Sequence, residues 1–461
     1  MRRLILLLTV VIWLAFPVAV QADVAPPAQV PGANPQPGSE ITQVRMMSEI
    51  VTIEVQEDTP DGSLGQARVT ANFIMRNLGD ETESMAVRFP ISSNNGFGEY
   101  PEITDLQVRV DGKSVEVSRI EGEDPQFEGD TVPWVAFDTT FSPEVDVNIQ
   151  VTYTLEASGE IPFINFYYIF STGAAWKGTI GSATLYVRFP YEISNLNVLP
   201  DGGEDLFPEH QLSGNELKWI FTDFEPEVGD NFNIRLVAPE FWKDVLNERA
   251  NVQKNPDDGE AWGRLAKLYK RLVFSSRNRG FRDSSITGDQ GAQDLFSLSV
   301  AAYERALERK PFDPLWHAGY ADLLGYYGFF GNFEGIDTRA ETVRALQEIR
   351  TALELDEKDE KVQEIALTLS FYSNGGMVPT GQTYDYPWLT ATPTLGITST
   401  QAIASTPTIE NTPTIFEETK PADETPTQQA ETPSHKTPLC ASLILVPFGV
   451  TLGFLKRFRK R

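Results

Sequence analysis

The sequence predicts a multidomain chain: an all-β, sandwich-like domain, then an α-helical domain, a disordered Thr/Pro stalk and a C-terminal transmembrane helix. Three observations predict it. Apolar residues recur at every second position from Val44 to about Ala238, and the period becomes helical after Pro239. The chain then closes on an uncharged stretch followed by a basic cluster.

Residues 1–22 read as a secretory signal. Arg2 and Arg3 precede the apolar run Leu4 to Phe16, and Val20-Gln21-Ala22 offers a small-residue exit before Asp23. The alternative, an uncleaved anchor, is disfavoured by Pro17 and by a core shorter than the roughly 20 residues a spanning helix prefers. Residues 23–43, rich in Pro, Ala and Gly, read as a flexible lead-in.

Residues 44–240 form the β region. Ala67, Val69, Ala71, Phe73 and Met75 alternate with polar residues, as do Val145, Val147, Ile149, Val151, Tyr153 and Leu155. Such alternation sets one strand face on a core and the other in water. Asp111-Gly112, between Leu106-Val108-Val110 and Val115-Val117, signals a hairpin. About ten to twelve strands are expected, enough for a sandwich or two smaller β units in series.

Residues 241–375 form the helical domain. Asp257 and Asp258 are candidate caps for a helix whose stripe is Trp262, Leu265, Ala266 and Tyr269. Further helices are expected over 299–310, 315–326, 338–355 and 361–372. Residues 376–438 read as the stalk: residues 390–438 hold 14 threonines and four Thr-Pro-Thr triplets, which deny the stretch a helix or a sheet. The composition also suits O-glycosylation. Residues 439–455 are the expected anchor, roughly 25 Å long as a helix, and residues 456–461 a basic cytoplasmic tail that leaves the body facing outward. Cys440 opens the anchor and reads either as a lipidation or processing site or as a small apolar residue at a helix start.

Net charge is −27; the signal carries +2 and residues 439–461 carry +5 without an acid, so residues 23–438 hold −34. That surface repels nucleic acid, which is not an expected partner, and keeps the body soluble. Cys440 is the sole cysteine, so stability comes from apolar burial rather than disulfides.

Two resemblances follow from motifs. Trp262, Leu265, Ala266 and Tyr269 match the first-helix signature of tetratricopeptide repeats, and Tyr303, Ala306 and Pro311 fit the second helix and turn. Ala345, Ile349 and Ala352-Leu353-Glu354-Leu355-Asp356 fit the end of a repeat, while Trp316 sits one place off register. Glu357 stands where a turn proline is common, and residues 274–294 are a long insertion. The resemblance implies a concave surface that binds a protein or peptide; each residue taken singly also serves as interhelical core. The β region resembles vault/inter-alpha-trypsin-type domains through Ala71-Asn72-Phe73, Arg76-Asn77, Phe89-Pro90 and Val110-Asp111-Gly112-Lys113. It is also similar to bacterial extracytoplasmic β-proteins without assigned function, through Gly173-Ala174-Ala175-Trp176-Lys177-Gly178-Thr179-Ile180-Gly181 and Phe224-Glu225-Pro226. Within that box Gly173, Gly178 and Gly181 permit sharp turns, and Trp176 needs burial or a ligand.

Asp283-Ser284-Ser285-Ile286-Thr287 spells an integrin-like metal motif, but no apolar strand leads into it, so the spelling is read as chance. The three histidines, His210, His317 and His435, stand near no catalytic or cofactor motif. No cofactor or metal is expected. The expected function is a tail-anchored, cell-surface interaction protein without catalysis. The alternatives are an envelope glycan hydrolase using paired carboxylates and a passive structural or adhesive component.

Overall fold

The computed structural model describes residues 33–38, 42–92, 102–124, 130–200, 210–226, 231–276, 289–381 and 383–390. The signal, most of the stalk, the anchor segment 439–455 and Cys440 lie outside the described residues. Among those described, no helix is long and apolar enough to cross a membrane. The described residues fall in one compact unit, and they run from a mostly β region into seven helices.

The β region contains β1 (Val44–Val55), β2 (Gln66–Asn77), β3 (Glu83–Pro90), β4 (Thr104–Val110), β5 (Lys113–Ser114), β6 (Ser118–Glu123), β7 (Thr131–Phe141) and β8 (Asp146–Glu156). It continues with β9 (Ser158–Glu160), β10 (Phe163–Tyr168), β11 (Ile180–Arg188), β12 (Val198–Pro200), β13 (Gln211–Ser213), β14 (Glu216–Phe224) and β15 (Phe232–Val237). An eight-stranded sheet runs β13-β14-β11-β1-β2-β8-β4-β5, with β1 and β11 parallel. A four-stranded sheet runs β12-β15-β10-β9, and a three-stranded one β3-β7-β6. The alternation has the expected consequence. Val69, Ala71 and Phe73 on β2 and Ile149, Val151 and Tyr153 on β8 are fully buried, and one apolar cluster joins them to residues of the other two sheets. The Asp111-Gly112 turn has both residues at positive φ, 50° and 76°, as a tight hairpin turn requires.

A bulge at Met46/Ser48 shifts the register of β1 against β2. Val44 and Met46 face inward before it, and Glu49, Val51, Ile53 and Val55 after it. The parity change drives a carboxylate into the core.

The helices are α1 (Pro239–Lys254), α2 (Gly259–Ser276), α3 (Gln290–Arg309), α4 (Pro314–Phe333), α5 (Arg339–Leu355), α6 (Glu360–Tyr372) and α7 (Pro387–Thr390). Aspartates start four of them. Asp258 accepts from Glu260 N–H and Ala261 N–H, and Asp289, Asp313 and Asp359 play the same part for α3, α4 and α6. The β-region cluster continues through Phe241, Trp242 and Val245 of α1, Leu265 and Tyr269 of α2, and Leu295 of α3. A second cluster lies among α3 to α6.

Three boundaries differ from expectation. Helix α3 begins at Gln290 rather than Ser299, because Asp289 caps it and Gly291 lets it approach the loop after β11: a Cβ there would stand 2.0 Å from the Asn195 carbonyl oxygen. Helix α4 runs to Phe333 rather than Tyr326. Gly325, Gly328 and Gly331, three apart on one face, admit Leu369, Thr342 and Thr338 at distances a Cβ would block. Finally, residues 378–381 and 383–390 are folded where the stalk was expected to have begun. Strands β16 (Val378–Thr380) and β17 (Thr383–Asp385) pair, and Tyr384, Tyr386 and Trp388 pack against the second cluster.

Gly291→Ala is expected to lower stability by about 1–3 kcal/mol, because the clash is with backbone and no rotamer relieves it. Thermal unfolding followed by circular dichroism measures it. A variant as stable as the parent would show that the α3 contact with the β region is slack.

Candidate functional site

The repeat-signature residues are placed as packing. Leu265, Ala266, Tyr269, Tyr303 and Ala306 are buried. Tyr303 stacks on Tyr320 with ring centroids 5.6 Å apart, and the Tyr269 hydroxyl accepts from Arg249 Nε at 2.7 Å. Trp262 is half-buried and donates to the Pro256 carbonyl at 2.8 Å. Trp316 lies against Gly263, where a Cβ would stand 2.3 Å from the indole, and its Nε1 is buried without a partner. The Pro311 carbonyl accepts from His317 Nε2 at 3.0 Å while His317 Nδ1 meets Glu348 Oε2 at 2.5 Å. Burial lowers the affinity of that imidazole for a proton, but Glu348 and the Pro311 carbonyl outweigh it and hold its pKa above the ordinary value. Thus His317, isolated in the sequence, ties α4 to α5.

The glycine-tryptophan box is also built into the body. Trp176 is buried, edge-on to Phe141, and its Nε1 donates to the Pro35 carbonyl at 2.7 Å. A Cβ on Gly173 would lie 2.5 Å from Asn34 Nδ2, and one on Gly181 would lie 2.5 Å from the carbonyl oxygen of Met47, at the β1 bulge. Gly178 takes a positive φ of 63° in the intervening turn. Of the two readings of Trp176, burial is the observed one. The expected lead-in is therefore docked over residues 33–38 rather than free.

A cleft of about 490 Å³ lies at the C-terminal end of the helices. Its lining includes Phe329 and Asn332 of α4, Asp337 and Thr338 before α5, Arg339 and Thr342 of α5, Phe371 and Tyr372 of α6, and Trp388 of α7. Gly328 lets α5 come close, and the Thr338 hydroxyl donates to its carbonyl at 2.8 Å. After α6, Asn374 and Gly375 both take positive φ and turn the chain back. Gly376 then lies against Trp388, with a hypothetical Cβ 2.8 Å from the indole.

One wall is aromatic and continuous with deeper rings. Phe274 stacks on Tyr326 at 4.0 Å, Tyr326 meets Phe330 at 4.5 Å, and Tyr372 stacks on Phe329 at 4.7 Å. Burial and the charge of Asp322 raise the pKa of Tyr372, so its phenol remains neutral. On the other wall the Arg339 guanidinium lies 5.1 Å from the Trp388 ring centre. Phe371 stays 72 % exposed at the rim. An exposed phenylalanine above stacked rings, with a guanidinium and neutral polar groups opposite, suits an aromatic or proline side chain flanked by polar backbone.

No sequence motif marks the cleft residues. The available signal was aromatic density: Tyr384, Tyr386 and Trp388 are too many rings for a solvated stalk.

No protein family matches the chain, and no curated protein matches it. Among solved structures it is similar to a crystal structure from Legionella pneumophila subsp. pneumophila, described provisionally as a nutrient binding protein. The two share 19% identity over 60% of this chain and 99% of that one, with a TM-score of 0.39. A likeness of that size carries no argument about function.

Proposed function

We propose that the chain is a tail-anchored, cell-surface interaction protein whose helical domain binds a protein or peptide partner, without catalysis. The cleft walled by Phe329, Phe371, Tyr372, Arg339 and Trp388 carries this reading. In it the β region is a sandwich-like spacing module. Hairpins α2/α3 and α4/α5, followed by α6, act as tetratricopeptide-like repeats, and the Thr/Pro segment is a stalk above the anchor. The partner presents an aromatic or proline side chain with lysines or arginines nearby, because a body holding −34 over residues 23–438 attracts a basic ligand.

Selection from a displayed library of random short peptides, against detergent-solubilised full-length protein, tests the binding. Enrichment of aromatic or proline residues beside Lys or Arg is expected. Failure to enrich any sequence sinks the proposal, and turnover of cell-wall polysaccharide by the same preparation would favour the hydrolase alternative. The anchoring has its own test. Deleting residues 439–461 is expected to release the protein into the medium; retention at the membrane would mean another segment holds it.

A further inference from the structure

The body holds residues 33–38 in a slot that has no part in the cleft. Ala33, Asn34, Pro35 and Pro37 are buried there, although their Pro/Gly-rich stretch has no composition for a core. The main-chain polar groups from Asn34 to Gln36 are satisfied. Asn34 N–H donates to the Ile169 carbonyl at 3.0 Å, and Thr172 Oγ1 donates to the Asn34 carbonyl at 2.7 Å. The Trp176 indole holds the Pro35 carbonyl, and Gln36 exchanges two bonds with Arg88 at 2.7 and 2.8 Å.

One side chain is read individually. Asn34 Nδ2 donates to the Phe170 carbonyl at 3.3 Å, and its Oδ1 lies 2.8 Å from the Tyr168 hydroxyl. Gly173 makes the room, since a Cβ would collide with Asn34. An indole bonding a carbonyl within a proline-containing extended segment is the chemistry by which aromatic slots take preformed peptides. The segment buries only alanine, asparagine and proline side chains of its own and joins the body through isolated bridges outside the named strands, so undocking breaks no strand pairing of the three sheets.

We infer that this slot is an extended-peptide site specific for Asn-Pro, filled in cis by the chain's own lead-in and able to take the same segment from a second copy. The short link through residues 39–41 gives the cis segment an effective concentration in the millimolar range. Exchange in trans therefore requires a weakened cis segment.

A fluorescent peptide of residues 31–38, followed by anisotropy with full-length protein, tests this. The wild-type chain is expected to leave the peptide free at sub-millimolar concentration, and the Asn34→Ala chain to take it up with a Kd of about 0.1 mM, the millimolar cis concentration divided by a tenfold weakening. The same peptide carrying Asn34→Ala should bind that chain at least about tenfold more weakly, the loss of a buried hydrogen-bonding side chain. A chain carrying both Asn34→Ala and Gly173→Val should bind neither. Folded Asn34→Ala protein that ignores the wild-type peptide, or binds both peptides equally, overturns the inference. Should Asn34→Ala fail to fold, a protease site inserted between Gly38 and Ser39 replaces it. The cut wild-type chain is then expected to exchange its resident segment for the labelled peptide, and absence of exchange overturns the inference.

Discussion

Glu49→Gln is expected to remove a large part of the alkaline sensitivity of the β region. Glu49 is 1% exposed and faces the core because of the β1 bulge. Its Oε2 has no hydrogen-bond partner, and its Oε1 lies 2.9 Å from the Tyr168 hydroxyl. That hydroxyl also lies 2.8 Å from Asn34 Oδ1 and 3.3 Å from the Ala33 carbonyl, yet a phenol has a single proton. A protonated Glu49 supplies the second donor.

The pKa agrees with the geometry: burial pushes the carboxyl up from 4.5 to about 8, against smaller opposing effects from Tyr168 and Asn34. Tyr153 and Tyr168, the titratable groups near it, are themselves held neutral by burial. The folded state therefore keeps a proton that the unfolded chain gives up. The stabilisation is fully present below pH 4.5, falls as pH rises, and is gone once pH passes about 8. Its full size is on the order of 5 kcal/mol. Glutamine keeps the shape and cannot ionise. Urea unfolding across this pH range should show wild type and variant alike in acid and the variant clearly more stable in alkali; parallel curves would mean that the carboxyl titrates normally.

The second large effect concerns the cleft. Phe371→Ala and Arg339→Glu are each expected to weaken binding of a selected peptide by about tenfold, since aromatic and arginine hot-spot contacts cost over 1 kcal/mol when truncated, and loss of the guanidinium stacked on Trp388 outweighs the added attraction of a carboxylate for a basic ligand. Both residues are exposed, and Phe371 contributes to the cleft rim rather than to a buried cluster. Thermal stability should therefore stay near wild type, separating lost recognition from lost fold. Arg339 has a further part, because its guanidinium covers the Trp388 ring. Arg339→Lys should accordingly retain more binding than Arg339→Glu. Isothermal titration with the selected peptide measures all three variants; unchanged affinity in both Phe371→Ala and Arg339→Glu would place the binding surface elsewhere.

Local periodicity made much of the fold legible. The alternations over Val147–Leu155 and Ala67–Met75 are strands buried on one face, and the stripe through Leu265 and Tyr269 is a helix face. Features set by distant partners were not legible. Nothing near Glu49 announces that a bulge turns it inward beside Tyr168, over a hundred residues away. The spacing of the α4 glycines acquires a meaning only when Leu369, Thr342 and Thr338 are seen against them. The same holds for Asn34, whose partners Tyr168, Phe170 and Thr172 lie on the far side of the β sequence. The cleft escaped for a related reason: its walls come from α4, α5, α6 and α7, and the last of these sat in a stretch judged by its Thr/Pro surroundings.

The interaction account is tested most directly by where a bound peptide sits. A selected peptide carrying a photo-crosslinker at its aromatic position should, after irradiation with full-length protein, label Phe371, Tyr372 or Trp388, and excess unlabelled peptide should suppress the label. Crosslinks confined to the β region, or scattered without competition, would contradict it.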